Sequence, residues 1–303
     1  MMTEKMIRKT IDDFKEFEIG LPSGPEDDGV ISLESRYKLY KNEQVIDNED
    51  FLPVHFLEEG ALVQKAVCRV RTNRGFGSGA LISRSLFITN NHVIRNKEEA
   101  RQAKFEFNYQ LHFNKNFLQK DIYAGNPDEP IGFFYTNPKL DYTILRLKPH
   151  VINEATSDTF SPSLSTLIDN LRLTRLTQLI FPGDIWGNLI LSKVKKTVGQ
   201  RVNIIQHPRG GRKVCCIHSN ILQEIYENVI RYTTDTKKGS SGSAVFDNEW
   251  EFIALHHAAG TRNVNTGKFE NNEGIRIDTI IKDLQNKFHR NKAEILAELG
   301  LAS

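Results

Sequence analysis

Thr234-Asp235-Thr236-Lys237-Lys238-Gly239-Ser240-Ser241-Gly242-Ser243 runs directly into Ala244-Val245-Phe246, and the reading of the whole chain turns on this stretch. A serine hydroxyl is a weak nucleophile near neutral pH. It needs a base to take its proton and donors to hold the oxyanion that its attack creates. Glycines on either side of Ser241 let the backbone turn sharply and come close to a substrate carbonyl. In such a turn the amides of Gly239 and Ser241 can face one oxygen. A Gly-x-Ser-Gly string by itself is also an ordinary hairpin turn, so the assignment needs a base and an acid elsewhere in the chain.

Working outward, Leu86-Phe87-Ile88-Thr89-Asn90-Asn91-His92-Val93-Ile94 places a histidine just after an apolar strand and a polar turn. Gly77-Ser78-Gly79-Ala80-Leu81-Ile82 precedes it and completes a hairpin pattern. Leu140-Asp141-Tyr142-Thr143-Ile144-Leu145-Arg146-Leu147 opens a strand with an aspartate. A carboxylate against the second imidazole nitrogen would fix the tautomer of the base and stabilise its charged form. Asp121, Asp128, Asp158 and Asp184 compete by count, but none opens an equally regular strand.

His92, Asp141 and Ser241 follow the chain order of chymotrypsin; subtilisin-like and α/β-hydrolase enzymes use other orders. The first pair is 49 residues apart and the second 100, which suits a site shared by two successive barrels. Thr89-Asn90-Asn91-His92-Val93-Ile94, Ile205-Gln206-His207-Pro208-Arg209-Gly210-Gly211 and the Thr234–Ser243 stretch together resemble the bacterial trypsin-like peptidases. That broad group includes the glutamyl endopeptidases and the high-temperature-requirement proteases. The resemblance covers about residues 65 to 285. It implies a chymotrypsin-like double β-barrel and serine endopeptidase activity. It makes Ser241 the nucleophile, His92 the general base and Asp141 the orienting acid, with the oxyanion hole at the amides of Gly239 and Ser241. His207 falls in a structural turn. Neither a metal nor a cofactor is required. The sequence departs from the group at Ala244, where many members carry proline, and Lys237 and Lys238 crowd the approach to the oxyanion glycine.

Two specificities stay open. Asp235, six residues before Ser241, matches the base of a pocket that selects arginine or lysine before the cleaved bond. Thr236 with His256, in Leu255-His256-His257, matches the acidic-residue recognition of the glutamyl endopeptidases. A structural alternative has Asp235 and His256 bonded to each other or to backbone. The ungapped spacing favours the basic preference.

The rest of the chain fits a mostly β protein. Short apolar stretches recur from Ala66 to His257 with turn residues between them, the pattern of a sandwich or barrel. Residues 1–60 form an N-terminal extension, 61–285 the peptidase domain and 286–303 a helical tail. Within the extension, Ile7 to Phe17 suits a helix and Leu21–Gly29 a loop. Phe51, Val54, Leu57 and Ala61 recur at helical steps, Phe56, Leu62 and Val63 widen the stripe, and together they predict a short helix packed on the core. Asp278 to Leu299 repeats a helical pattern through Ile281, Leu284, Phe288, Ile295 and Leu299. Asn153 to Ile180 reads as an insertion with a helix.

Composition narrows the function classes. Apolar residues make up 39% and charged residues 26% of 303, so the chain is neither membrane-embedded nor disordered. A net charge of +2 gives no case for nucleic acid or an anionic membrane as partner. The charged start lacks the apolar core of a secretory signal, and the three cysteines read as buried free thiols. Both point to a cytoplasmic protein that acts on protein or peptide substrates. Such a protease is hazardous to its own cell, which leads us to expect a regulatory protein partner, as in bacterial signalling or defence systems. Residues 1–60 and the helix from Asp278 are the docking candidates; alternatively both cover the open ends of the barrels. The competing functions are a catalytically latent binding module on the same fold and an esterase.

Overall fold

Two seven-stranded antiparallel sheets carry the fold. They belong to a computed structural model that describes residues 51–152, 178–218, 220–289 and 292–302. The elements expected at Ile7–Phe17 and Leu21–Gly29, and most of the Asn153–Ile180 segment, lie outside the described residues.

The first sheet holds β1 (Val67–Thr72), β2 (Gly75–Leu81), β3 (Leu86–Thr89), β4 (Lys104–Phe107), β5 (Asp121–Asn126), β6 (Phe134–Asn137) and β7 (Tyr142–Leu147). Its order is β3-β2-β1-β4-β5-β7-β6, and β3 also pairs with β7. Six strands therefore close into a ring, which removes the exposed edges an open sheet would present. Alternate residues point inward and fill it: Val70, Phe87, Phe105, Phe107 and Leu145 are buried. Phe87 meets Phe105 edge-on at 4.9 Å. A short ribbon, β8 (His150–Ile152) with β9 (Gln178–Ile180), follows in the chain.

The second sheet holds β10 (Asn203–Gln206), β11 (Val214–Cys216), β12 (Leu222–Ile225), β13 (Val229–Tyr232), β14 (Ala244–Phe246), β15 (Phe252–Ala259) and β16 (Asn272–Arg276), in the order β11-β10-β14-β15-β16-β13-β12. It curls until Arg201 bridges Ile221, where Leu222 N–H donates to Gln200 O at 2.9 Å. Val202, Ile204, Ile230, Tyr232, Val245 and Ile253 form its core. The arrangement is the expected chymotrypsin-like pair of barrels.

Helices cover the outside. α1 (His55–Val63) is the helix foreseen near Asp50–Lys65, but only part of its expected stripe packs. Phe51, Val54, Leu57, Ala61 and Leu62 are exposed, while Val63 is half-buried and Phe56 is buried, stacked on Trp250 at 4.8 Å. Gly60 is needed there, because a Cβ would come within 2.5 Å of the Trp250 ring. α2 (Lys97–Gln102) begins at Asn96, whose side chain accepts from Glu99 N–H, and α3 (Pro182–Trp186) precedes the second barrel. The pattern from Asp278 becomes two helices, α4 (Ile277–Phe288) and α5 (Ala293–Glu298), with Ile281, Leu284, Phe288, Ile295 and Leu299 all buried. Both return to the first barrel. Phe288 packs on Tyr135 at 4.9 Å, and Glu298 pairs with Arg146 at 2.8 Å. Among the described residues, no helix is long and apolar enough to cross a membrane.

The cysteines need a correction. Cys68 is buried, but Cys215 is exposed and Cys216 half-buried. They lie on β11, which pairs with β10 alone at the end of the sheet. Cys216 packs partly against the second core, and Cys215, its neighbour on the strand, faces the other way and is exposed.

Candidate active site

The first barrel supplies a histidine and an aspartate. After β3 the chain turns through Asn90–His92, with Val93 N–H and Ile94 N–H both donating to Asn90 O at 3.2 Å. The buried Asn90 side chain reaches across to donate to Asp141 O at 2.9 Å. Asp141 sits at the last turn position before β7, with φ +46°. That left-handed conformation is one aspartate tolerates better than most residues, and it swings the carboxylate over the His92 turn.

There Asp141 makes two bonds to His92. Oδ1 accepts from the His92 backbone N–H at 2.9 Å, and Oδ2 faces Nδ1 at 2.7 Å. A third bond comes from the second barrel, where His257 Nδ1 lies 3.3 Å from Oδ2. Burial works against the charge on Asp141, but the hydrogen bonds of His257 and His92 outweigh it and hold the carboxyl well below the usual range. An ionised carboxylate can only accept. His92 therefore carries its proton on Nδ1 and leaves the Nε2 lone pair for another partner.

Sequence reading missed the role of His257. Successive strand residues face opposite ways, so β15 turns His256 inward and His257 toward Asp141. His257 Nε2 also lies 3.0 Å from Glu273 Oε1, and Glu273 Oε2 accepts from Arg231 Nε at 2.9 Å. Burial disfavours the imidazolium of His257, but Asp141 and Glu273 overcome this and raise its pKa. The His-His pair was a visible signal, but which ring faced the carboxylate depended on the register of β15.

The second barrel supplies the serine turn. Its ends are sewn to both barrels: Ser78 N–H donates to Ser241 O at 2.8 Å, and Gly242 N–H to His256 O at 2.8 Å. Gly239 and Gly242 have φ of +98° and +86°, accessible to glycine at little cost. At Gly242 a Cβ would lie 2.1 Å from Ser78 O. Among the described residues, neither Gly239 N–H nor Ser241 N–H donates to a protein acceptor. His92, Gly239 and Ser241 line one cleft of about 300 Å³, rimmed by Arg74, Phe76 and Lys238.

The other expected residues are divided. Asp235 is exposed and lines a second pocket, of about 620 Å³, with Thr236, Glu270 and Asn272. Thr236 Oγ1 donates to Asn272 Oδ1 at 2.8 Å. His256 does not line that pocket. It is buried with Nδ1 2.9 Å from Tyr232 OH, and burial pushes its pKa down to about 3. The turn at His207 is buried too, with Nδ1 donating to Gly211 O at 2.9 Å.

The family model described as a trypsin-like peptidase domain matches residues 77–255. Over 287 residues the chain is 29% identical to a Sinorhizobium fredii protein named uncharacterized protein y4fB. That match covers 81% of this chain but only 39% of the relative's length. Among solved structures, the Rv3671c protease from M. tuberculosis in its active form aligns over 80% of this chain and 93% of its own, with 13% identity and a TM-score of 0.48. A Glu endopeptidase in complex with MPD aligns over 74% and 90%, with 16% identity and a TM-score of 0.47.

Proposed function

The chain belongs to the trypsin-like peptidase domain family, and on that premise we propose that it is a serine endopeptidase working through Ser241, His92 and Asp141. The observation that carries this reading is the 2.7 Å contact of Asp141 with His92 Nδ1, in a cleft that His92 shares with Ser241 and Gly239.

In this mechanism His92 Nε2 takes the Ser241 hydroxyl proton as Oγ attacks the scissile carbonyl. Asp141 remains ionised and stabilises the imidazolium. The tetrahedral oxyanion accepts hydrogen bonds from Gly239 N–H and Ser241 N–H, each worth ~3 kcal/mol when removed. The His92 proton then passes to the leaving amine, whose bond to carbon breaks to give an acyl-enzyme. Water, deprotonated by His92, attacks the ester carbonyl and releases the new carboxylate with Ser241 restored.

The preferred substrate carries lysine or arginine before the cleaved bond. Asp235 and Glu270 put two carboxylates on the 620 Å³ pocket, and among the described residues no lysine or arginine lines it. Burial and its bond to Tyr232 leave His256 without access to an acidic side chain. Regulation by a protein partner belongs to the same reading.

The test is cleavage of a randomised peptide library by the wild type and Ser241→Ala, read by mass spectrometry. Cuts after basic residues by the wild type alone are expected. Equal cutting by both proteins rules out Ser241 as nucleophile. No cutting by either, combined with failure of a fluorophosphonate probe to label Ser241, favours the latent binding module.

A further inference from the structure

Gly239 is the place where an oxyanion hole is easiest to lose, because glycine can turn either flanking peptide over at small cost. In this chain three consecutive carbonyls are tied down around it. Lys238 O accepts from Arg209 N–H at 2.6 Å, and Ser240 O accepts from Ser243 N–H at 3.0 Å. Between them, Gly239 O accepts from the Ser78 hydroxyl at 2.9 Å. In a trans peptide the N–H points opposite to the C=O. Tying Lys238 O and Ser240 O therefore aims Gly239 N–H and Ser241 N–H the other way. Only the central tie is made by a side chain.

We propose that Ser78 is a positioning residue for the oxyanion hole, its hydroxyl locking the Gly239–Ser240 peptide to the His207 turn. The inference rests on the reading of Gly239 and Ser241 as oxyanion donors. The direction of the lock follows from chemistry. His207 N–H can only donate, and it reaches Ser78 Oγ at 3.0 Å. Gly239 O can only accept, so the single hydroxyl proton goes there. Ser78 is fully buried, out of contact with bulk solvent. Its own backbone is held, with N–H on Ser241 O at 2.8 Å and O accepting from Thr89 Oγ1 at 2.7 Å. The His207 turn closes over the same glycine: a Cβ on Gly239 would lie 2.8 Å from Gly210 N and 2.9 Å from His207 O. The N–H of the same peptide, that of Ser240, donates to Lys237 O at 2.9 Å, so a hydroxyl of the first barrel and a local turn bond together set a peptide plane of the second.

The experiment compares wild type, Ser78→Ala and Ser241→Ala. It reads kcat and KM on a peptide amide, the affinity of a peptide boronic acid, and the Gly239 amide resonance by NMR in the resting protein. The boronate adduct puts an oxygen where the oxyanion develops. For Ser78→Ala, kcat should fall about 10- to 100-fold with KM within about threefold. Boronate affinity should weaken with kcat, and the Gly239 resonance should shift or broaden. The proposal is overturned if folded Ser78→Ala keeps kcat and boronate affinity within about twofold of wild type, or if kcat falls while boronate affinity and the Gly239 resonance stay put. If Ser78→Ala does not fold, Ser78→Cys, which keeps the shape with a far weaker donor, is judged by the same criteria. Wild-type-like cleavage by Ser241→Ala refutes the nucleophile reading instead, and the Gly239 resonance then decides the role of Ser78 alone.

Discussion

Replacing Asp141 with asparagine should silence catalysis while leaving the fold in place, and the geometry shows which way the new amide must face. His92 donates its backbone N–H to Asp141 Oδ1 at 2.9 Å. In Asp141→Asn only the amide oxygen can take that bond. The NH2 group then occupies the place of Oδ2, 2.7 Å from His92 Nδ1 and 3.3 Å from His257 Nδ1. It donates to Nδ1, so the His92 proton is driven to Nε2. His257 suffers little, since an Nε2 proton can still go to Glu273 Oε1 at 3.0 Å. His92, by contrast, now presents a donor to Ser241 where the proposed mechanism needs an acceptor. A tautomer error of this kind costs about 10⁴ in kcat, or ~5.5 kcal/mol at about 1.36 kcal/mol per tenfold. The assay is kcat and KM on a peptide amide, with a thermal melt as control. A folded Asp141→Asn protein within about tenfold of wild-type kcat would refute the reasoning.

Other outcomes follow from the same structure. In His257→Gln a neutral side chain replaces one whose charged form Asp141 and Glu273 favour, so the acid limb of kcat/KM should move to higher pH; an unmoved limb or a shift to lower pH counts against the coupling. Glu106 is fully buried and bonded to Arg69 at 2.6 Å and Lys120 at 2.9 Å. Glu106→Ala strands Arg69 and should cost about 3–5 kcal/mol in denaturant unfolding, whereas a loss below about 1 kcal/mol would mean the pair is dispensable. Stability should also respond to pH on both sides. Asp141, Glu273 and Glu106 have depressed pKa values, so their contribution is present above about pH 4 and lost as the pH falls through the folded values. His257 has a raised pKa, so its contribution is present below about pH 6.5 and lost as the pH rises through its folded value. Melting curves should therefore decline on both flanks, and His257→Gln should soften both declines, because His257 also helps hold the Asp141 and Glu273 carboxyls down.

The double barrel was legible because its strands are short, apolar and separated by turns, as in Tyr142–Leu147 and Phe252–His257. The three residues proposed for catalysis were legible because each ends or opens such a strand. What stayed hidden depends on register and packing. β16 (Asn272–Arg276) has a polar start and one glycine, so nothing in its composition marks a strand, yet it pairs with both β13 and β15. Glu273 reaches His257 only through that pairing. The α1 stripe was right only in part, for a related reason. Helical periodicity offers several apolar positions, but Trp250, nearly two hundred residues away in sequence, selects Phe56 among them. The indole Nε1 donates to Phe56 O at 2.7 Å and fixes that choice. Cys215 and Cys216 looked buried because apolar neighbours surround them in sequence, and the end-strand position of β11 undoes this.

The same logic bears on how a site split between two barrels keeps its geometry. Arg69, on β1, donates to Gly210 O at 2.5 Å and to Glu106 at 2.6 Å, and its guanidinium lies 3.5 Å from the Tyr109 ring centre. Gly210 belongs to the turn that holds Lys238 O through Arg209 N–H. A buried charge cluster in the first barrel is thus two bonds from the peptide of the second proposed to hold the oxyanion. Loosening that seam and misplacing Gly239 N–H become one event rather than two. The Glu106 and Ser78 substitutions should therefore not combine additively in kcat, because each releases the same turn. Full additivity in Glu106→Gln with Ser78→Ala, measured as kcat on a peptide amide, would show that the turn is held independently from each side.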